Sequence, residues 1–179
     1  VVSACASGSH AIGDAYRMIK YGEAEAIIAG GTESAISPIS IAGFSNMKAL
    51  TKNPDINSAC RPFDMKRDGF VMGEGAGVIV LESLNSAKKR KSPILSEIIG
   101  YGASADAYHL TQPDPEGLGA YKSMEKALMD ANIEASYIDY INAHGTSTKF
   151  NDKIETNAIK RLFKKNAYNI SISSTKSMT

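Results

Sequence analysis

The apolar positions change period early in the chain. Ala11, Ile12, Ala15, Met18 and Ile19 recur three and four apart, which marks one face of an α-helix, and Gly22 is its stop. The neighbouring positions are mostly Gly, Ala and Ser, so this helix suits a protein interior. The next stretch, AEAIIAGG, is short, apolar and ended by glycines. It reads as a strand buried on both faces, as in parallel sheets. GEGAGVIVLES predicts another buried strand around residues 76–82, and ILSEIIGYGASA, YIDYINA and NISISS predict three more. Helical spacing returns over residues 117–131, where Leu118, Tyr121, Met124 and Leu128 share a face and Asn132 is the stop. It returns again in the stripe of Ile154, Ala158, Ile159, Leu162 and Phe163. Asp152 and Glu155 stand at capping-box spacing before that stripe, and Lys164 and Lys165 complement its C-terminal end.

Strands and helices thus alternate, which predicts an α/β protein with a largely parallel or mixed sheet. Residues 51–70 interrupt the pattern with polar side chains and two prolines. They read as a long loop, and long loops in compact domains are often functional. SAKKRKS reads as a solvated helix end and turn rather than a nucleic-acid patch. Active sites in such sheets gather beyond the carboxyl ends of strands. Cys5, His144 and Lys176 each follow a strand-like run, which makes these three the first candidates for chemistry.

Composition narrows the choice. At 179 residues the chain has the length of one ordinary domain, and a net charge of +1 excludes the basic excess of a nucleic-acid binder. No apolar run approaches the roughly 18 residues of a membrane span, so no membrane partner is expected. CxxC pairs and HExxH are absent, so neither a metal site nor a cofactor is expected. GGTES and GEGAG do not match GxGxxG followed by a helix and a distant acid, which argues against nucleotide binding. Two cysteines, Cys5 and Cys60, make no disulfide framework, and a reducing compartment is the default. The chain starts with Val1 at what reads as the end of a strand and stops at SSTKSMT without a terminating element. It is expected to be a piece of a longer protein.

Cys5 alone supports two readings. It is a buried small hydrophobe, or it is a nucleophile at the mouth of a helix, where free N–H groups and the macrodipole favour a thiolate. His144 alone is either a hydrogen-bonded structural residue or an acid–base group.

Longer motifs decide between these readings. SACASGSHAIGDA, IIAGGTES, RPFDMKRDGFVMGEGAGVIVLE, NAHGTSTKFNDKIE and SSTKSMT, taken in order, resemble β-ketoacyl-acyl-carrier-protein synthase II, the elongating condensing enzyme family of dissociated fatty-acid synthesis. The resemblance runs the whole length. It implies a thiolase-like fold, five-layered α-β-α-β-α, of which this chain would be an incomplete central portion. Residues 1–92 would belong to the N-terminal half, starting at the nucleophile. Residues 93–179 would belong to the C-terminal half, stopping before the family's second catalytic histidine and its glycine-rich oxyanion loop.

By this resemblance Cys5 is the nucleophile that accepts an acyl chain as a thioester, and its own N–H is one oxyanion donor. His144 is the first catalytic histidine, a neutral imidazole donating to the oxygen of a nascent enolate. Thr146 and Thr148 resemble the pair that hydrogen-bonds the phosphopantetheine arm; alternatively they cap the next helix. Lys176 resembles a lysine at the back of the site, with Asp152 and Glu155 as its acidic partners in a network that orients the histidine. Phe44 would line the acyl pocket or simply sit in the core. Lys48 would meet the acidic carrier protein or be a solvated lysine. Thr111, in DAYHLT, would lie on the malonyl side. His10 and His109 are taken as structural, with His10 buried along the Cys5 helix, and Cys60 as incidental. Lys149 and Phe150 depart from the family pattern, which usually has proline and then an apolar residue or alanine after HGTST.

The implied reaction is decarboxylating Claisen condensation on acyl carrier protein, with the carrier as partner, a homodimer whose seam lies near AEAIIAGG, and a cytoplasmic or plastid-type location. A polyketide ketosynthase domain and a non-catalytic partner subunit are the alternatives.

Overall fold

The computed structural model describes residues 1–178. Along the chain its elements are α1 (Ser7–Lys20), β1 (Ala26–Glu33), α2 (Pro38–Asn46), β2 (Gly75–Glu82), α3 (Leu84–Lys89), α4 (Leu118–Ala131), β3 (Tyr140–Asn142), α5 (Asn151–Phe163) and β4 (Ser171–Ser173). They form two compact units. The first joins Val1–Ser34 to Glu74–Tyr101, and the second joins Ala35–Gly73 to the chain from Gly102. These units interleave along the sequence. The loop before β2 sides with the C-terminal elements, because its hydrogen bonds go there.

In the first unit β1 and β2 pair antiparallel, Ala26 opposite Glu82 and Glu33 opposite Gly75. Helix α1 lies on one face, where Ala15, Ala29 and Leu81 form a small core ringed by Ile12, Ile19, Ile27 and Ile98. Gly31 and Gly8 let α1 approach β1 closely: a Cβ on Gly31 would stand 3.2 Å from the Gly8 Cα. Two expectations fail in this unit. The strands do not bury both faces; Ile28 and Val80 stand opposite each other at 73% and 66% exposure. Only Gly13 and Ala15 of α1 are buried, so that helix is not enclosed. The cause is the same: α1 covers one side of the pair, and nothing among the described residues covers the other. ILSEIIGYGASA also forms no strand. A strand exists through its ladder, and no strand among the described residues pairs with this segment. It is held instead by Ile98 in the core and by the Ile99 carbonyl, which accepts from the Tyr16 hydroxyl at 3.1 Å. The basic stretch is, as expected, a short helix and turn: Ser83 caps α3, and Arg90 folds back onto Glu82 at 2.7 Å.

In the second unit β3 and β4 pair parallel, Tyr140 opposite Ser171, so the chain as a whole carries mixed pairing. Ile159, Phe163, Ala167 and Ile170 make the core, with Met124 and Leu128 of α4 packed on it. Helix α4 ends at Asn132 in the left-handed region, φ 53°, as its sequence predicted. Helix α2 was not foreseen, although Ser37 caps its N-terminus and Pro38 stands in its first turn. The predicted capping box does not form. Phe150, not Asp152, is the N-cap of α5, and the Asn151 N–H is taken by the Thr148 hydroxyl at 3.3 Å. The basic residues in the last turn of α5 are Lys160 and Arg161, because the helix ends at Phe163 and Lys164 turns to φ 51°. No helix among the described residues is long and apolar enough to cross a membrane.

Candidate functional site

Parallel pairing sets the site. β3 and β4 run side by side and end together, Asn142 opposite Ser173, and the Ala143 N–H donates to the Ser173 carbonyl at 2.8 Å. His144 therefore leaves one strand beside the Ser174–Lys176 turn leaving the other. This is the carboxyl edge where α/β proteins place chemistry.

The peptide around His144 is held at both ends. The His144 and Gly145 N–H groups donate to the two oxygens of Glu155, at 2.7 and 2.8 Å. The His144 carbonyl accepts from Lys176 Nζ at 2.6 Å and from the Ser174 hydroxyl at 3.4 Å. Gly145 turns the chain at φ 41°, and a Cβ there would stand 2.5 Å from the Ser174 Cβ and 3.0 Å from the Phe63 ring. The His144 residue is open to solvent by area, yet the protein crowded around it pushes its pKa below the usual histidine value, and the Lys176 ammonium pushes the same way. Glu155 and Asp152 oppose that shift without cancelling it. The imidazole is thereby biased toward its neutral form. Beside it lies a shallow cleft of about 140 Å³ that Glu155, Asn151 and Ile154 help to line.

Thr146 and Thr148 come together, their hydroxyl oxygens 2.9 Å apart. The Thr148 hydroxyl also accepts the Asn151 N–H at the start of α5. Lys176 is exposed rather than buried, and its ammonium meets a carbonyl. The carboxylates expected beside it are engaged elsewhere. Asp152, 1% exposed, accepts from the Phe63 N–H at 2.7 Å and pairs with Arg67 at 3.5 Å, while Glu155 holds the two loop N–H groups. The loop over residues 51–70 is part of this site. Its Arg61 N–H donates to the hydroxyl of fully buried Ser147, its Gly69 N–H to the Ser147 carbonyl, and its Arg67 to the Thr148 and Lys149 carbonyls.

Sequence reasoning missed Arg67, Ser147 and Phe63. The signals available were the length and polarity of the 51–70 loop for Phe63 and Arg67, and the place of all three residues inside the motifs RPFDMKRDGF and NAHGTST. Cys60 is not remote from the site either: its thiol donates to the Lys176 carbonyl at 3.1 Å, and burial followed by the nearby Asp152 pushes its pKa up.

The remaining candidates are placed more plainly. Phe44, on α2, is half-buried and meets Phe70 edge-on at 5.4 Å. Lys48 follows that helix, exposed, at φ 55°. Thr111 is exposed, and its N–H donates to His109 Nδ1. His109 also accepts the Gln112 N–H, so it stabilises a turn. In the first unit, Cys5 is exposed within a 3-10 turn, Ala4–Ala6, that leads into α1. The turn is closed by Ser7, whose hydroxyl accepts the Ser3 N–H and donates to the Ala4 carbonyl. His10 is half-buried rather than buried, and it does have a partner, the Ser3 hydroxyl at 2.6 Å. Cys5 thus belongs to one unit, and His144, Thr146, Thr148, Asp152, Glu155 and Lys176 to the other.

The model for the beta-ketoacyl synthase N-terminal domain matches residues 1–87, and that for the beta-ketoacyl synthase C-terminal domain matches residues 95–179. A 3-oxoacyl-[acyl-carrier-protein] synthase 2 of Staphylococcus aureus is 53% identical over 178 residues, 99% of this chain and 44% of that protein. The same-named protein of Synechocystis is 54% identical over 179 residues, 99% of this chain and 43% of its own length. Among solved structures, a type II polyketide synthase acyl-carrier protein in complex with its ketosynthase bound to the hexaketide aligns with TM-score 0.95 and 41% identity, over 98% of this chain and 43% of that one. A beta-ketoacyl synthase from Burkholderia phymatum aligns with TM-score 0.89 and 43% identity, over 97% and 41%. The chain therefore spans less than half the length of the relatives it matches.

Proposed function

The chain belongs to the beta-ketoacyl synthase family, with a thiolase-like fold, and from that premise we propose that the full protein elongates carrier-bound acyl chains by decarboxylating Claisen condensation. Cys5 attacks the acyl thioester, releases the carrier thiol and keeps the acyl group on its sulfur. Malonyl carrier protein then loses carbon dioxide. The electron pair of the broken C–C bond becomes an enolate, whose carbon attacks the Cys5 thioester and expels the thiolate. Each bond made is matched by one broken, and no oxidant or cofactor is needed.

The observation that carries this reading is the two-sided clamp on His144, Glu155 at its N–H and Lys176 at its carbonyl. A neutral ring donates one hydrogen bond to the enolate oxygen without losing its proton, and a fixed peptide keeps that donor aimed. Asp152 and Glu155 orient the loop, and Lys176 acts through the His144 carbonyl rather than as a base. Thr146 and Thr148 bind the pantetheine arm. Phe44 lines the acyl pocket, Thr111 lies toward the malonyl side, and Lys48 meets the acidic carrier protein. Residues 1–92 and 93–179 form parts of the two family halves. The full protein is a homodimer with its seam near β1, working in a cytoplasm or a plastid-type stroma.

A polyketide ketosynthase is the second reading, favoured by the likeness to the ketosynthase bound to a hexaketide. Fatty-acid elongation adds one two-carbon unit per acyl group loaded, whereas the alternative adds several without release. Mass analysis of the carrier-bound products from the full-length protein separates the two. Replacing Cys5→Ala is expected to abolish both acyl labelling and condensation, and full condensation by that variant would end the assignment.

A further inference from the structure

We propose that Arg67 is a positioning residue for the Thr146–Thr148 pair and so controls binding of the pantetheine arm; this rests on the condensing reading above. The guanidinium is a planar fork with five N–H donors. Its Nε donates to the Thr148 carbonyl at 2.8 Å, and its two terminal nitrogens donate to the Lys149 carbonyl at 3.0 Å and the Asp64 carbonyl at 2.9 Å. It also stands 3.5 Å from Asp152, and its side chain is only 16% exposed. Two consecutive carbonyls held by one rigid group fix the two peptide planes that flank Lys149. The first of these sets the backbone on the C-terminal side of the Thr148 Cα, from which its side chain, tied to Thr146 and Asn151, is held.

The loop has little else to stiffen it at this point. Lys149 is exposed, and Phe150, at 72% exposure, is not packed into a core. The other ties from the 51–70 loop to residues 147–149 are backbone donors, from Arg61 and Gly69 to Ser147. Arg67 is the one side chain among the described residues of that loop that reaches the carbonyls of Thr148 and Lys149.

The threonines are sensitive to aim. Between them they own two hydroxyl protons. One is spent between Thr146 and Thr148, and the Asn151 N–H occupies a lone pair of Thr148 without using a proton. One proton is left to donate to an amide carbonyl of the arm. A donated hydrogen bond weakens steeply as its angle closes, so a turned Thr148 misaims that donor, whether it is its own hydroxyl or that of Thr146 held by it.

The test compares Arg67→Lys with the wild type in the full-length protein, using malonyl carrier protein and a malonyl thioester of a simple alkyl thiol that lacks both arm amides. Lysine keeps the charge beside Asp152 and loses the fork. The expected result is a KM for the carrier substrate raised about tenfold with kcat within about twofold, and an unchanged KM for the armless thioester. In a Thr148→Val background the same change at Arg67 should have little further effect, because the two act on one contact. Equal KM increases in both backgrounds, or a matching fall in kcat for both substrates, would overturn the proposal while leaving the condensing reading intact. A wild type that does not condense at all removes the reading and this proposal together. Should Arg67→Lys fold poorly by its melting temperature, Arg67→Gln carries the same cycle.

Discussion

The turn at Cys5 and the loop at His144 are built by opposite means. Cys5 sits in a turn whose ties all lie within ten residues of the N-terminus: Ser3 to Ser7, Ser7 to Ala4, Ser3 to His10. The His144 loop is assembled from far along the chain. Arg61 reaches Ser147 across 86 residues, Arg67 reaches Thr148 across 81, and Cys60 reaches Lys176 across 116. In the proposed mechanism the nucleophile needs only a sulfur at the mouth of a helix, which the short stretch from Ser3 to His10 supplies. A hydrogen-bond donor for a developing enolate must be aimed from outside, and aiming needs supports that do not move with it.

That contrast predicts separable phenotypes. Cys5→Ala in the full-length protein should lower condensation by about a thousandfold or more, since the covalent intermediate disappears. Its melting temperature should stay within about a degree or two of wild type, because Cys5 is exposed and none of the turn's side-chain ties is its own. Calorimetry beside a product assay checks both. A large loss of stability would mean that the turn depends on its thiol and that the contrast is misdrawn.

Gly145→Ala tests the other side. A methyl group at φ 41°, placed 2.5 Å from the Ser174 Cβ, must displace the β4 turn. The expected cost is about 2–4 kcal/mol in denaturant unfolding, with condensation lost as well. By the same contrast Ser7→Ala, which removes two local hydrogen bonds in an exposed turn, should cost only about 1 kcal/mol. If the two glycine and serine effects came out equal, the distinction between local and long-range construction would fail.

The same division explains what could be read without coordinates. Local features were legible: the α4 face, the Asn132 stop, the basic turn after α3 and the position of His144 after a strand, whereas no strand among the described residues precedes Cys5, which lies in the 3-10 turn Ala4–Ala6. The motif resemblance then carried the fold class. Features that depend on distant partners were not. Nothing local in AEAIIAGG says whether its second face meets another element, and nothing in ILSEIIGYGASA says whether a strand waits beside it. Asp152 and Glu155 have capping-box spacing, yet each carboxylate is claimed by a distant loop, Phe63 and Arg67 for one and the His144 turn for the other. Local hydrogen bonds lose to these because a buried carboxylate with several N–H donors leaves none of its oxygens unpaired. Arg67 was invisible for the same reason, as one charged residue in a polar loop.

The finest test of the long-range assembly is the His144 titration. Crowding and the Lys176 ammonium hold its folded pKa below the ordinary 6.5. In the unfolded chain the ring takes its proton near 6.5, so between that value and the lower folded one the unfolded state holds more protons. Stability must then rise with pH across that window and level off above 6.5; acidification through the window removes it. Proton NMR of the ring in the full-length protein should place the midpoint below 6.5. Lys176→Met removes a cation and should move the midpoint up, while Glu155→Gln removes an anion and should move it down. Each displacement is expected to be a fraction of a pH unit, about the size that partly screened neighbours produce. Opposite signs at the two positions are what a two-sided clamp requires. Shifts of the same sign would show that both variants merely loosen the loop and expose the ring, and His144 would then owe its neutral form to crowding alone.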